Sequence, residues 1–226
     1  MDFSVELRTQ AKATPDANAR VVVIDDDSEF RESLRRLLHS VGLQTRLFAS
    51  VAAFMDSDSH DGATCLVLDV RLPGRSGLDL QRDLAAARIA LPIVFITGHG
   101  DIPMSVQAMK AGALEFLTKP FRDQDLLDAV NVGLARDSVR REQEEALSEL
   151  RKRFEELTPR ERAILVQVVE GRLNKQIAGV MGITETTVKV HRSNMMRKLR
   201  AASLVQLCRM ADKLNLGTAN PAGHEA

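Results

Sequence analysis

Five short apolar runs, 21–24 (VVVI), 45–48 (TRLF), 65–68 (CLVL), 93–96 (IVFI) and 113–117 (ALEFL), are separated by stretches with apolar residues at helical spacing, 30–38, 78–84, 106–109 and 126–134. Strands joined through helices cannot close as hairpins. They pair in parallel, and the helices must cover both faces of the sheet. The first part of the chain is therefore expected to be an α/β doubly wound, five-stranded parallel sheet over residues 20–139, preceded by a disordered leader at 1–19.

Residues 135–157 (ARDSVRREQEEALSELRKRFEEL) contain no Gly or Pro and continue the last of these helices as a connector, with 140–157 as the linker proper. Leu147, Leu150, Phe154 and Leu157 recur at 3–4–3 spacing, and Glu149 stands four residues before Arg153. Two heptads make a marginal coiled coil, so a solvated linker helix is favoured over a dimer seam. From Thr158 the pattern is wholly helical. Thr158-Pro159-Arg160-Glu161 is a capping box with Pro at the first helical position, and Gly171 closes that helix. Asn174 is expected to cap a short helix ending at Gly182, and Thr184 a longer one running to Leu199. Ser203 to Gln206 offers a second capping box. Four short helices at 158–216 make a small all-α domain, followed by a disordered tail at 217–226.

The net charge of zero is unevenly distributed. Residues 20–140 carry 14 basic and 17 acidic side chains, whereas 158–216 carry 11 basic and 4 acidic. Only the second half is suited to a polyanion. No apolar run approaches the roughly 18 residues of a membrane helix, and the N-terminus lacks the pattern of a secretory signal. Cys65 and Cys208 lack metal-ligand spacing and read as small buried residues of a reducing cytoplasm. The five histidines form no ligand cluster.

Polar residues stand at four of the strand ends, where open parallel sheets bind ligands. Asp25, Asp26 and Asp27 follow VVVI, Asp69 follows CLVL, Thr97 follows IVFI, and Lys119-Pro120 follows EFLT. Clustered carboxylates repel one another unless a hard divalent cation such as Mg²⁺ neutralises them. A carboxylate can also act as a nucleophile and yield an aspartyl phosphate. Lys119 and the cation would then stabilise the transferring phosphoryl group, and Thr97 could donate to one of its oxygens. His99, between Gly98 and Gly100, has no second histidine or nucleophile beside it; those glycines instead let the loop move with Thr97.

VVVIDDD, LVLDVRLPGRSG, IVFITGHGD and AGALEFLTKPF closely resemble the receiver domains of two-component response regulators, with their flavodoxin-like fold. The resemblance implies that Asp69 accepts phosphate from a sensor histidine kinase. It implies that Asp26, Asp69 and the backbone carbonyl of Arg71 bind Mg²⁺, with Asp25 acting through water. Thr97 and Lys119 would be the switch hydroxyl and the phosphate-pairing lysine, Phe116 the rotating aromatic, and Lys119-Pro120 a cis peptide. Phe116 carries no hydroxyl, which leaves its rotation to packing alone.

LTPRERAIL, NKQIAGVMGI and TETTVKVHRSNMMRKL resemble the LuxR-type helix-turn-helix of the NarL/FixJ response regulators, and ITGHGD and MKAGA lean towards the FixJ side. Physically, the helix after Thr184 would bury Val188, Met195 and Leu199, leaving Lys189, Val190, Ser193, Asn194 and Arg197 outward. The resemblance places Lys189, Val190 and Ser193 against base edges of double-stranded DNA. Arg192, Arg197, Lys198 and Lys175 would contact phosphates. In the family the last helix, exposing Leu204, Leu207 and Met210, forms the dimer contact. The expected protein is a homodimer when phosphorylated, with RNA polymerase as a further partner.

Two other readings compete. The pocket could belong to an aspartate-nucleophile phosphatase or phosphotransferase, but Arg71 stands two residues after Asp69, where such enzymes place a second aspartate, so turnover would be limited to slow loss of the protein's own phosphate. A phosphorylation-independent DNA binder with a vestigial receiver conflicts with the full set Asp25, Asp26, Asp69, Thr97 and Lys119.

Overall fold

The computed structural model describes residues 20–57, 64–98 and 102–216. Five strands, β1 (Arg20–Ile24), β2 (Gln44–Phe48), β3 (Thr64–Asp69), β4 (Ile93–Thr97) and β5 (Glu115–Thr118), form one sheet in the order β2-β1-β3-β4-β5. Every pairing is parallel. The helices between them are α1 (Ser28–Ser40), α2 (Val51–Met55), α3 (Gly77–Ala86), α4 (Ile102–Lys110) and α5 (Asp123–Glu155).

Because the side-chain period of a strand is two, each central strand feeds two cores. Val21, Val23, Cys65, Val67, Val94 and Ile96 pack with Leu34 and Leu38 of α1 and Leu126 and Val130 of α5. Val22, Ile24, Leu66, Leu68, Ile93 and Phe95 pack on the other face with Phe54 of α2, Leu80 and Leu84 of α3 and Ala108 of α4. This two-sided burial is why the runs at 21–24 and 65–68 are apolar throughout rather than alternating.

Two details differ from the sequence expectation. The fifth strand begins at Glu115 rather than Ala113, because Ala113 turns in to bond the Ala108 carbonyl at the end of α4. The five-residue α2 is too short to show a helical period. Its signal was Ser50, whose hydroxyl accepts the Ala53 N–H at 3.2 Å, with Val51 and Phe54 three apart on the buried side.

Asp137 of α5 is a buried carboxylate that pattern reading did not single out. Its Oδ2 accepts the Thr64 N–H at 2.8 Å, tying α5 to the start of β3, and Arg140 and Arg141 neutralise it. Burial, reinforced by Asp137, pushes the Cys65 thiol up to about 12, so this cysteine is an inert core residue. Cys208 is only half-buried, unlike the expectation of two buried cysteines.

The chain divides into two compact units between Arg141 and Glu142. The second unit holds the last part of α5 followed by α6 (Pro159–Val169), α7 (Asn174–Met181), α8 (Glu185–Leu199) and α9 (Leu204–Lys213). Here the 3–4–3 stripe acquires its role. Leu150 and Leu157 are buried with Ile164, Leu165, Val168, Ile177, Val188, Met195, Leu199 and Leu207, and Phe154 packs against them. Leu150, Phe154 and Leu157 thus close the core of this unit rather than lining a solvated linker, while Leu147 at the start of the stripe is half-buried and outside that core. Helix α5 stops at Glu155, so Leu157 enters the core from the turn beyond it. Each such buried leucine contributes about 1.5–3 kcal/mol of transfer free energy.

Caps set the helix ends. Thr158 and Glu161 exchange both bonds of a capping box with Pro159 at the first position. Leu173, not Asn174, precedes α7: the Gln176 side chain accepts the Leu173 N–H at 2.8 Å, while Asn174 Oδ1 is engaged by Arg192 at 2.9 Å. The second box is half-formed. Ser203 accepts the Gln206 N–H, but Gln206 Oε1 reaches past Ser203 to the N–H of Ala202. Among the described residues no helix is long and apolar enough to cross a membrane.

Glu161 is buried, and burial alone would raise its pKa. The bond from the Lys198 ammonium at 2.7 Å and those from Thr158 outweigh this and hold the carboxyl below its usual range. A depressed folded-state pKa stabilises the fold above the unfolded value near 4.3 and loses that effect as pH falls through the folded value. Glu161→Gln is therefore expected to lower the stability of this unit by about 1–2 kcal/mol at pH 7, since Lys198 is partly solvated. Urea melts followed by circular dichroism should show the gap closing as pH falls towards 3; a gap constant with pH would contradict the ionic origin.

Candidate functional site

The order β2-β1-β3-β4-β5 reverses direction between β1 and β3, and the polar strand ends gather around that point. Asp25 directly follows β1, Asp69 ends β3, Thr97 ends β4 and Lys119 follows β5. Their backbones are tied together: the Val70 N–H donates to the Ile96 carbonyl at 3.2 Å and the Lys119 N–H to the Thr97 carbonyl at 2.8 Å. Asp25, Asp69 and Thr97 are buried, Asp26 is exposed and Lys119 is half-buried. Phe116, on β5, packs at the edge of the core with its ring centroid 6.2 Å from that of Phe95. The Lys119–Pro120 peptide is cis. His99 lies outside the described residues.

Asp25, Asp26 and Asp69 place one carboxylate oxygen each within 4.8 Å of one another. Lys119 Nζ lies 2.6 Å from Asp25 Oδ2 and 3.1 Å from Asp69 Oδ2. The Asp27 and Arg71 N–H groups donate to Asp25 Oδ1 and Asp69 Oδ1, both at 2.9 Å. Burial raises the pKa of Asp25, an effect only partly offset by Lys119 and the Asp27 N–H. Burial would lower that of Lys119, but its bonds to Asp25 and Asp69 hold the ammonium above its ordinary range. Three carboxylates facing one ammonium leave excess negative charge, and all their donors are hard oxygens with one open side at Asp26. That donor set fits a small divalent cation such as Mg²⁺. Asp27 is not part of it: its carboxylate caps α1 by accepting the Glu29 and Phe30 N–H groups.

Gly77, the first residue of α3, belongs to the same construction. A Cβ there would collide with the Asp69 carbonyl oxygen and crowd Leu68 and Phe95, so only glycine lets α3 begin this close to the end of β3.

In the second unit α7 and α8 form a helix-turn-helix. Gly182, in the left-handed conformation at φ +65°, ends α7, and the Thr184 hydroxyl caps α8 by accepting the Thr187 N–H. Helix α8 buries Val188, Met195 and Leu199 and leaves Lys189, Val190, Ser193 and Arg197 exposed, as is Lys175 on α7. Asn194 is half-buried, and Arg197 donates weakly to it at 3.4 Å. Lys198 is committed to the interior through Glu161 and the Glu156 carbonyl, and half-buried Arg192 is held by Asn174. On α9, Leu207 is buried in the core and Met210 packs against it, contrary to the expected exposure; Leu204 and Val205 are the exposed apolar residues there.

Residues 21–131 match the family model of the response regulator receiver domain, and residues 155–211 that of the bacterial regulatory proteins of the luxR family. Nodulation protein W of Bradyrhizobium diazoefficiens is 51% identical over 88% of this chain and 87% of its own length. The transcriptional regulatory protein FixJ of Azorhizobium caulinodans is 47% identical over 84% and 90%. The chain belongs to the NarL/FixJ response regulators. Among solved structures, the response regulator StyR covers 87% of this chain and 99% of its own, with 48% identity and a TM-score of 0.79.

As a response regulator of this family, the chain combines a receiver, whose working partner is a histidine kinase, with a LuxR-type DNA-binding half, and is a transcription regulator rather than an enzyme. Its acidic pocket and its helix-turn-helix correspond to those two parts. Two contacts here carry no signal in local pattern: the Phe30 ring lies under Lys119, and Asn174, expected as a helix cap, instead holds Arg192. Neither residue belongs to a strand-end or outward-facing pattern, and both act through side chains 89 and 18 residues away.

Proposed function

We propose that Asp69 takes a phosphoryl group from a sensor histidine kinase in the cytoplasm, and that this promotes dimerisation and operator binding by the LuxR-type half. The observation carrying this reading is the convergence of Asp25, Asp26 and Asp69 within 4.8 Å, with Lys119 bonded to two of them. Asp26, Asp69 and the Arg71 carbonyl would hold Mg²⁺, with Asp25 acting through water. The cation supplies neutralisation of the phosphoryl charge. An Asp69 carboxylate oxygen forms the new O–P bond as the P–N bond to the kinase histidine breaks, the imidazole keeping the electron pair. Lys119 exchanges its carboxylate partners for a phosphoryl oxygen, and Thr97 donates to another. Hydrolysis of the acyl phosphate is the only turnover expected, and it is slow.

A change at Thr97 propagates through packing at Phe116 to the face formed by α4, β5 and α5. On α4 that face carries exposed Ile102, Val106 and Met109, suited to a second copy of the chain. On DNA, Lys189, Val190 and Ser193 would read bases, with Arg197, Arg192 and Lys175 at phosphates and exposed Leu204 and Val205 of α9 at the second dimer contact. RNA polymerase is the further partner at a promoter.

Sedimentation velocity of the chain with Mg²⁺, before and after acetyl phosphate, tests the assembly step. A monomer-to-dimer shift is expected, and an unchanged profile after confirmed phosphorylation would refute it. The chain has neither Trp nor Tyr, so interference optics are required.

A further inference from the structure

Lys119 Nζ has a third neighbour besides the two carboxylates: it lies 3.8 Å from the centroid of the Phe30 ring. The ionic partners, Asp25 and Asp69, belong to the same cluster of oxygens that would hold a divalent cation, and Asp69 is the proposed phosphoryl acceptor. Both bonds are therefore weakened or lost when the pocket is loaded, at the moment the ammonium must stay at hand. A benzene ring face has no lone pair to offer a hard cation, yet its quadrupole attracts an ammonium. Of the contacts Lys119 Nζ makes among the described residues, the ring is the one that shares no atom with the oxygens that would hold the cation or take the phosphoryl group.

The ring is also held independently of the carboxylates. Phe30 lies in the first turn of α1, fixed by the Asp27 cap, and packs against the core formed with α5. Its edge contact with Phe121, at 6.2 Å and 81°, comes from the segment directly after the Lys119–Pro120 bond, so the ring and the lysine backbone are tied by a second route. We propose that Phe30 is a positioning residue for Lys119, its ring face keeping the ammonium at the pocket while the lysine changes partners from carboxylate to phosphoryl oxygen. This rests on phosphoryl transfer at Asp69.

The test uses the full chain with Phe30→Leu, which keeps an apolar side chain but removes the ring, and Phe30→Tyr, which keeps the ring. With Mg²⁺ and acetyl phosphate, the rate of Asp69 labelling followed by intact mass should fall about threefold to tenfold in Phe30→Leu and recover in Phe30→Tyr. The second readout is spectroscopic and needs no turnover. The Lys119 ε-methylene protons should be shifted upfield by the ring current in the wild type, remain so when Mg²⁺ is added, and return to the position of the other lysines in Phe30→Leu. An unshifted Lys119 signal in the wild type with Mg²⁺ overturns the proposal, as does a stably folded Phe30→Leu that labels at the wild-type rate or a folded Phe30→Tyr that does not recover. If the wild type takes no label, the Asp69 reading fails, while the ring-current measurement still decides the contact.

Discussion

Incubated with Mg²⁺ and acetyl phosphate, the wild-type chain should gain one phosphoryl group by intact mass, and Asp69→Asn should gain none. The expectation rests on nucleophilicity and placement together. Asp69 ends β3 with one oxygen accepting the Arg71 N–H and the other facing Lys119, so its attacking group is oriented before any ligand arrives. An amide of nearly the same shape preserves the packing of β3 but cannot form an acyl phosphate. Asp25 and Asp26 offer carboxylates beside it; label appearing on Asp69→Asn at the wild-type level would move the acceptor to one of them. EDTA should abolish labelling of the wild type, because the uncompensated charge of the cluster repels an incoming phosphate as strongly as it attracts a cation. Labelling that persists in EDTA would exclude the divalent ion from the reaction.

Lys189→Ala is expected to cost about 1–3 kcal/mol on a specific operator and less on random DNA, whereas Arg197→Ala should weaken both by similar factors. Both side chains are exposed on α8, but Lys189 lies in the second turn after the Thr184 cap and Arg197 two turns further on. A recognition helix presents its N-terminal half to base edges, so position along α8 separates reading from anchoring. Lys198 and Arg192 would be poor probes, because Glu161 and Asn174 hold them and their removal would disturb the fold as well as the charge. A salt series on both DNAs makes the comparison quantitative. Loss of the Arg197 phosphate contact should reduce the slope of log affinity against log salt by about one unit. Equal losses on both DNAs for Lys189→Ala would mean that α8 is not docked by its N-terminal half, and no effect of either substitution would mean that the basic surface binds something other than duplex DNA.

The parallel sheet and the strand-end carboxylates Asp25, Asp26 and Asp69 were legible from local pattern alone. The central strands β1, β3 and β4 are buried on both faces and so read as unbroken apolar runs, and polar residues placed directly after a strand, as Asp25 and Lys119 are after β1 and β5, gather at the carboxyl edge of such a sheet. The caps at Thr158 and Thr184 were equally legible, because capping is decided within four residues. Interactions between distant segments were not. A heptad stripe states that Leu150 and Leu157 must be covered but not by what, and the tertiary structure covers them with α6, α7 and α8 rather than with a second chain. Leu207 looked outward-facing for the same reason, since helical spacing defines a face without saying which neighbour meets it. Lys198 and Arg197 are both basic residues near the end of one helix, yet only packing against Glu161 turns Lys198 inward. Phe30 reaches Lys119 across 89 residues through a π face, and Asp137 reaches Thr64 across 73 through one hydrogen bond. Local sequence encodes what a residue needs, whether burial, a cap or a counter-charge; which partner meets that need depends on which segments the folded chain brings together.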